Sequence, residues 1–171
     1  MPHRKLSHIS YKGHYQFVTF RTKESLDSHL KRLYRLDVEE RIRQYKMDMY
    51  LDTSVNGTYF YDDVLTVAKA YIHEKDSVLY DLVSYAVMPN HIHILFKETE
   101  ELSRAVGFLK GGLAHNVNQH LGRKGKFWSS DYYNRLIRDE KHFEVVYNYI
   151  RNNPVKAGLE DASERYFGIY G

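Results

Sequence analysis

The sequence predicts an α+β domain in which helices cover one face of an antiparallel sheet. Stretches with strand-like alternation and stretches with helical spacing follow one another in the order strand, helices, strand, strand, helix, strand, helix, which is typical of that class. The 171 residues suffice for a hydrophobic core, since 43% of them are hydrophobic. No repeat and no linker rich in proline, glycine or serine divides the chain, so we predict one domain over residues 1–171.

The first half of the chain is predicted to contain a strand and three helices. Residues 15–21, YQFVTFR, alternate and are rich in aromatic and β-branched side chains, which favours a strand. Residues 25–33 are predicted to form a short helix. Asp37 and Glu40 resemble a capping box at the start of a second helix. The apolar face of that helix is expected to hold Val38, Ile42, Tyr45 and Met49.

After a turn signal at Asn56-Gly57, a third helix is expected to begin with Asp62 or Asp63 as its cap. Its apolar face holds Val64, Val67, Ala68, Tyr71 and Ile72. Residues 78–88 and 91–97 are then predicted to be antiparallel strands. They are joined by Pro89-Asn90, because proline presets φ and asparagine tolerates the next turn position.

The second half ends with helix, strand and helix. One face of a long helix carries Leu102, Val106, Leu109, Leu113 and Val117. Gly111-Gly112 is expected to interrupt this helix, and residues 127–137 are predicted to contain a strand by their aromatic content. The last helix should start near Asp139 and end by Asn153, because Pro154 disfavours helical geometry in the residue before it.

The composition of the chain limits the classes of protein to which it can belong. The chain has no cysteine, which excludes a disulfide framework and thiolate metal sites and fits a cytoplasmic protein. The basic start, MPHRKLSHISYKG, has no apolar run behind it, so we expect no signal peptide. No stretch approaches the roughly 20 apolar residues of a membrane span. A net charge of +3 and a pI of about 8.9, with basic residues clustered in RKGK (123–126), favour an anionic partner.

Two histidines occupy one face of a strand that otherwise looks like core. His91 and His93 are two residues apart in VMPNHIHILF, so their side chains project in the same direction. Two neutral imidazoles in that arrangement can hold one divalent cation. Alternatively, they simply form hydrogen bonds on a half-exposed strand.

The last helix places a tyrosine and an amide beside each other. Its core stripe consists of Phe143, Val146, Tyr147 and Ile150. Tyr149 lies off that stripe, and Asn153, four residues later, shares its side. An H-x-H strand combined with a Y-x-x-x-N helix is more specific than either motif alone.

The segments MPNHIHILF, FWSSDYYNRLIRDEKHFE and YIRNNPVKAGL resemble the single-tyrosine HUH transposases, especially the REP-associated tyrosine transposases of bacteria. YQFVTFRTK shares the resemblance more loosely, and together these segments span most of the chain. The resemblance implies a ferredoxin-like (RRM-like) antiparallel sheet covered by helices, of the HUH endonuclease type. A helical insertion is expected at about 34–75 and a C-terminal tail from about 154.

The resemblance also implies roles for four residues. His91, His93 and Asn153 would bind Mg²⁺ or Mn²⁺, and Tyr149 would attack a DNA phosphate to give a 5′-phosphotyrosine and a free 3′-hydroxyl. Insertion-sequence members have glutamine in place of Asn153, which favours the REP-associated branch. Because these three ligands are neutral, we expect the ion to keep its full charge for the phosphate. The covalent bond would conserve the phosphodiester energy, so no nucleotide cofactor is expected.

The implied partner is single-stranded DNA folded into a REP-like hairpin. The candidate DNA contacts are Lys110, His115, Asn116, Gln119, Arg123, Lys124, Lys126 and Arg135. Gly111-Gly112 would let a phosphate approach the main chain. Two alternatives stay open, which are a non-catalytic module that binds hairpin DNA or RNA and a small metallohydrolase. A monomer with its tyrosine acting in cis is expected rather than a homodimer.

Overall fold

A computed structural model describes residues 10–171 as one five-stranded antiparallel sheet with helices packed around it. The strands are β1 (Tyr15–Arg21), β2 (Tyr80–Val87), β3 (His91–Glu98), β4 (Tyr133–Leu136) and β5 (Tyr166–Gly168). The helices are α1 (Ser28–Tyr34), α2 (Glu40–Thr53), α3 (Asp62–Glu74), α4 (Leu102–Leu121), α5 (Glu140–Lys156) and α6 (Ala162–Arg165). The strand order β4-β1-β3-β2-β5 contains the ferredoxin-like arrangement with β5 added beside β2. The predicted α+β, ferredoxin-like class is confirmed.

Helices cover both faces of the sheet, not one. Val18 and Ile94 belong to the core under α3 and α4, whereas Phe17 and Leu95 belong to a second core under α5. The central strands β1 and β3 are therefore buried on both sides, which explains why they contain almost continuous apolar residues. His91 and His93 share their face with Phe17, so they lie under α5.

The predicted apolar face of α2 is wrong. Ile42, Tyr45 and Met49 are 39%, 46% and 48% exposed. The buried side of α2 consists instead of Arg43, Gln44, Met47, Asp48 and Leu51. The predicted capping box is also absent, since Glu39 is the N-cap residue and no side chain caps the helix. Polar groups are thus packed inwards, which matters for the site below.

Two other helix starts differ in detail from the prediction. The segment predicted as one helix is a 3₁₀ turn, Lys23–Ser25, followed by α1, whose N-cap residue Asp27 accepts a hydrogen bond from the Leu30 N–H at 2.9 Å. Helix α3 has Tyr61 as its N-cap residue, and the two predicted caps lie in its first turn. The negative charges of these two aspartates still stabilise the N-terminus of α3.

Gly111-Gly112 does not interrupt α4. The helix runs without a break, and a Cβ at Gly112 would overlap the Tyr71 hydroxyl oxygen. Gly112 therefore permits α3 and α4 to pack closely, so the expected approach of a phosphate to the main chain at this position is not supported. A Cβ at Gly111 would meet no heavy atom within 4 Å, so that position carries no such constraint.

Helix α5 continues past Pro154 to Lys156, which corrects its predicted end at Asn153. Proline removes one hydrogen-bond donor, but it lies in the last turns of the helix, where the Ala157 N–H still donates to the Asn153 carbonyl at 3.0 Å. The predicted C-terminal tail goes on to form α6 and β5.

The predicted absence of a signal peptide rests partly on residues 1–9, which lie outside the described residues. Among residues 10–171, no helix has the length and apolar character needed to cross a membrane.

Candidate metal and nucleophile site

The two histidines begin β3, one of the central strands, and both are fully buried. In the ladder with β1, Thr19 is opposite His93 and Arg21 is opposite His91. The two imidazole rings meet edge to face with their centroids 4.8 Å apart. The shared strand face predicted from the H-x-H spacing therefore holds in the structure.

Hydrogen bonds leave the same nitrogen free on each ring. His91 Nδ1 lies 2.8 Å from the Asn90 side-chain carbonyl oxygen. The Asn90 amide nitrogen donates to the Leu51 carbonyl at 3.1 Å, which fixes its carbonyl oxygen towards His91, so Nδ1 carries the hydrogen. His93 Nδ1 bonds the Thr19 hydroxyl at 2.7 Å. Both Nε2 atoms are buried without a hydrogen-bond partner.

Both imidazoles are held in the neutral form. Burial lowers the pKa of His93 to about 3, and burial together with the neighbouring His93 and Arg21 lowers the pKa of His91 well below its ordinary value. A neutral imidazole with its Nδ1 engaged and its Nε2 lone pair exposed to the site is the form that ligates metal ions. Asn90 orients His91, so its role exceeds that of the turn residue inferred from the sequence.

Helix α5 brings the predicted nucleophile and amide over this face. Its N-cap residue Asp139 accepts a hydrogen bond from the His142 N–H at 2.7 Å, and its buried stripe includes Val146, Tyr147 and Ile150. Tyr149 lies off that stripe, as predicted, and its ring centroid is 5.5 Å from that of His93. The side-chain oxygen of Asn153 is buried and has no hydrogen-bond partner. Tyr149 and the two histidines thus come together, and Asn153 is buried one turn further along α5.

Helix α2 adds two carboxylates that the sequence analysis missed. The Tyr149 hydroxyl donates a hydrogen bond to Asp48 Oδ2 at 2.7 Å. A carboxylate oxygen of Asp48 and a ring nitrogen of each histidine lie within 4.8 Å of one another. Asp52 Oδ1, four residues later, is 3.8 Å from His91 Nε2 and is itself buried without a hydrogen bond. The available signal was the i, i+4, i+8 polar row of Gln44, Asp48 and Asp52.

These carboxylates change the electrostatics that the sequence implied. Burial raises the pKa of Asp48 to about 7, with Asp52 adding to the shift and Tyr149 and Arg21 opposing it. Burial also raises the pKa of Asp52 to about 7. Burial and then the Asp48 carboxylate raise the pKa of Tyr149 above its ordinary value. The expectation of a purely neutral ligand set is therefore incomplete, because two acidic groups face the histidines.

The donor atoms fit a divalent cation. Four side-chain atoms that could ligate an ion are buried and lack a hydrogen-bond partner. They are His91 Nε2, His93 Nε2, Asn153 Oδ1 and Asp52 Oδ1. Leaving such atoms unsatisfied costs free energy unless an ion or water completes them. Imidazole nitrogens together with amide and carboxylate oxygens form a mixed nitrogen and oxygen donor set suited to a metal such as Mn²⁺.

A basic cleft leads from the surface to Tyr149. It has a volume of about 540 Å³ and lies between α2, β4 and α5, with Asp48 and Tyr149 among its lining residues. Phe17 and Tyr133 provide aromatic walls, and Arg41, Arg135 and Arg138 line the cleft as well. Arg135, one of the predicted DNA contacts, therefore lies next to the site.

The other predicted DNA contacts lie on α4 and the loop after it. Lys110 Nζ donates to the Ser129 carbonyl at 3.0 Å, and burial lowers its pKa to about 8. Arg123 pairs with Glu24 and bonds the Asn118 side chain at 2.9 Å. The side chains of Lys124, Lys126, His115 and Gln119 are exposed to solvent, and that of Asn116 is half-buried. Since α4 packs on the sheet face opposite the histidines, this surface is separate from the cleft.

Two curated proteins of Haemophilus influenzae (strain ATCC 51907 / DSM 11121 / KW20 / Rd) are similar to this chain. One, uncharacterised, is 27% identical over 94 residues, which cover 42% of this chain and 52% of that protein. The other bears the name of a REP-associated tyrosine transposase and is 26% identical over 113 residues, which cover 59% of this chain and 64% of that protein. The match thus spans between about half and two thirds of each relative's length.

Two solved structures share the fold. A REP-associated tyrosine transposase bound to a REP hairpin superposes with a TM-score of 0.54 at 20% identity, covering 91% of this chain and 75% of that one. A crystal structure described as that of a transposase from Deinococcus radiodurans R1 gives a TM-score of 0.50 at 17% identity, covering 90% and 98%.

A sequence model of the family described as IS200-like transposases matches residues 43–153. The matched segment includes Asp48, Asp52, His91, His93, Tyr149 and Asn153. Because the match extends over more than half of the 171 residues, the chain belongs to the IS200-like transposase family.

Proposed function

We propose that this protein is a metal-dependent transposase that cleaves and rejoins single-stranded DNA at REP-like hairpins through a covalent tyrosine intermediate. The observation that carries the proposal is the approach of the Tyr149 ring to within 5.5 Å of His93, beside buried nitrogen and oxygen atoms that have no hydrogen-bond partner. Membership of the IS200-like transposases supports the same reaction class.

The chain's own residues have distinct tasks in this reaction. Tyr149 supplies the attacking oxygen, and its proton faces Asp48 Oδ2, the acceptor it already contacts at 2.7 Å. As the tyrosine oxygen bonds to phosphorus, its proton passes to Asp48 and the bond to the 3′ oxygen breaks. The leaving 3′ oxygen takes up a proton from solvent, which gives a 5′-phosphotyrosine and a 3′-hydroxyl. No water is consumed, so attack by a 3′-hydroxyl on the phosphotyrosine rejoins DNA without a nucleotide cofactor.

His91, His93 and Asn153 would hold Mg²⁺ or Mn²⁺, with Asp48 and Asp52 beside them. When bound there, a divalent cation supplies Lewis-acid stabilisation of the charge on the scissile phosphate. Asn90 and Thr19 keep the two imidazoles oriented through their Nδ1 atoms. A neutral phenol is a weak nucleophile, so its proton acceptor and the cation are both needed.

The DNA would use two surfaces. The scissile strand enters the basic cleft, where Arg135 and its neighbouring arginines contact phosphates and Tyr133 offers an aromatic face for a base. The hairpin contacts the α4 surface through Lys124, Lys126, His115, Asn116 and Gln119. Lys110 and Arg123 support this surface by bracing the loop, since their charged groups already bond protein atoms. The likeness to a transposase bound to a REP hairpin supports a hairpin partner.

The protein would act as a monomer with its tyrosine in cis. The support is that Tyr149 and the histidines of one chain already lie side by side. A swapped arrangement would need α5 to leave the core that it forms with the sheet.

The test uses a labelled single-stranded hairpin from the repeats flanking the gene, incubated with the protein and Mn²⁺ or Mg²⁺. The expected result is a covalent protein–DNA adduct on a denaturing gel that needs the metal and is lost in Tyr149→Phe but retained in Tyr147→Phe. Binding without cleavage would indicate the non-catalytic alternative. Cleavage of phosphoesters without any adduct would indicate a metallohydrolase.

A further inference from the structure

The residue that contacts the nucleophile is also within reach of the metal ligands. Asp48 is 6% exposed, and its Oδ2 accepts the Tyr149 hydroxyl hydrogen bond at 2.7 Å. An oxygen of the same carboxylate lies within 4.8 Å of a ring nitrogen of both His91 and His93. A carboxylate has two oxygens and about four lone-pair sites, so it can serve a hydroxyl and a cation together.

Asp52 resembles Asp48 in position but not in its contacts. It lies one helical turn further along α2 and its Oδ1 is 3.8 Å from His91 Nε2. Its Oδ1 is buried without a hydrogen bond, and no hydrogen bond between Asp52 and Tyr149 occurs among the described residues. Helix α2 therefore provides two carboxylates, of which Asp48 alone touches the nucleophile.

We propose that Asp48 is a shared residue, which ligates the divalent cation and holds the Tyr149 hydroxyl, so that metal occupancy and the position of the nucleophile are energetically coupled. This inference rests on the proposed function for the cation itself. It assigns α2 to the metal centre and gives the ion an anionic oxygen ligand in addition to the imidazoles and the amide. Hard cations such as Mn²⁺ and Mg²⁺ favour oxygen ligands of this kind.

Coupling has a defined direction. The hydroxyl hydrogen bond withdraws electron density from the Asp48 carboxylate and competes for one of its oxygens, so removal of the hydroxyl should strengthen the bond between Asp48 and the ion. By reciprocity, a bound cation should weaken the hydrogen bond between Asp48 and the Tyr149 hydroxyl by the same factor. Asp52 should contribute to ion affinity without this dependence on Tyr149.

The experiment measures Mn²⁺ affinity by titration followed by electron paramagnetic resonance, without DNA, so that catalysis plays no part. The proteins are the wild type, Asp48→Asn, Asp52→Asn, Tyr149→Phe and the two double variants that add Tyr149→Phe to each aspartate change. Asp63→Asn, an exposed carboxylate on α3, is the matched control. Circular dichroism verifies that each variant is folded.

Asp48→Asn should weaken Mn²⁺ binding by about tenfold or more. Tyr149→Phe should tighten it by about fivefold or more in the wild type and in Asp52→Asn, and should have a smaller effect in Asp48→Asn, whose amide oxygen can still accept the hydroxyl hydrogen bond but carries no charge. Unchanged affinity in a folded Asp48→Asn, or an equal effect of Tyr149→Phe in all backgrounds, would overturn the proposal. If the wild type does not bind Mn²⁺, or if a folded His93→Ala added to the same set binds it equally well, the proposed metal function is refuted instead.

Discussion

The buried Asp48 carboxylate should make the stability of the metal-free protein depend on pH. Burial raises the pKa of Asp48 from 3.8 to about 7 in the folded protein. One pKa unit corresponds to about 1.36 kcal/mol, so a rise of about three corresponds to about 4 kcal/mol. In Asp48→Asn the side chain keeps its shape and can still accept the Tyr149 hydrogen bond, but it no longer has a carboxyl group that titrates.

The sign follows from comparing the folded and unfolded states. Below about pH 4 the carboxyl group is protonated in both states and contributes no difference. As pH rises from about 4 to about 7, the unfolded chain ionises Asp48 while the folded protein keeps it protonated, so the wild type loses stability. Above the folded pKa of about 7 the loss is complete. The stability of Asp48→Asn relative to the wild type should therefore increase across this interval and then level off.

Urea unfolding in EDTA at several pH values between about 4.5 and 8 measures this difference in stability. The wild type and Asp48→Asn contain the same histidines, so the titration of the histidines cancels in the difference. Trp128, the single tryptophan, is buried and reports unfolding by fluorescence. Glu160→Gln is the control, because this carboxylate is exposed and lies outside the helices. A difference between Asp48→Asn and the wild type that stays constant with pH would refute the reasoning.

Three further predictions concern other parts of the molecule. His91→Ala or His93→Ala should abolish adduct formation while gel-shift binding of the hairpin survives, and joint loss of binding and folding would indicate a structural role instead. Replacing Lys124 and Lys126 with glutamine should lower the salt dependence of hairpin binding, by about 0.9 in the log–log slope for each lost duplex phosphate contact; an unchanged slope would place the DNA elsewhere. Gly112→Ala should gain less stability in urea unfolding than Gly111→Ala, because its Cβ would displace the end of the Tyr71 side chain, whereas equal effects of the two substitutions would contradict this packing.

The strands were predictable because local alternation is sufficient to define them. YQFVTFR gave β1 with its observed bounds, and the Pro89-Asn90 turn between two apolar runs gave the β2–β3 hairpin. The histidine pair and the tyrosine–asparagine pair were also predictable, because each pair of residues lies within one element. Their spacing, i and i+2 on a strand and i and i+4 on a helix, sets their relative direction without knowledge of the tertiary fold.

Helix α2 was not predictable by the same reasoning. A rule that places apolar side chains inwards selects Ile42, Tyr45 and Met49, yet these are exposed while Asp48 is buried. The rule fails because α2 directs part of its polar side towards the histidines. Hydrophobic patterning is least reliable at functional sites, where polar side chains must be buried. The contact between Asp48 and Tyr149 spans 101 positions in the sequence, so no local pattern reports it.

The residue that carries the covalently attached DNA decides whether Tyr149 is the nucleophile. The protein is incubated with the hairpin DNA and Mn²⁺, the trapped adduct is digested, and the nucleotide-bearing peptide is fragmented by mass spectrometry so that Tyr147 and Tyr149 are distinguished. Tyr147 is the internal comparison, because its hydroxyl accepts a hydrogen bond from the Tyr170 N–H at 2.9 Å. We expect a nucleotide on Tyr149 alone, and a nucleotide on Tyr147, Tyr132 or Tyr133 would contradict the assignment of Tyr149 as the nucleophile.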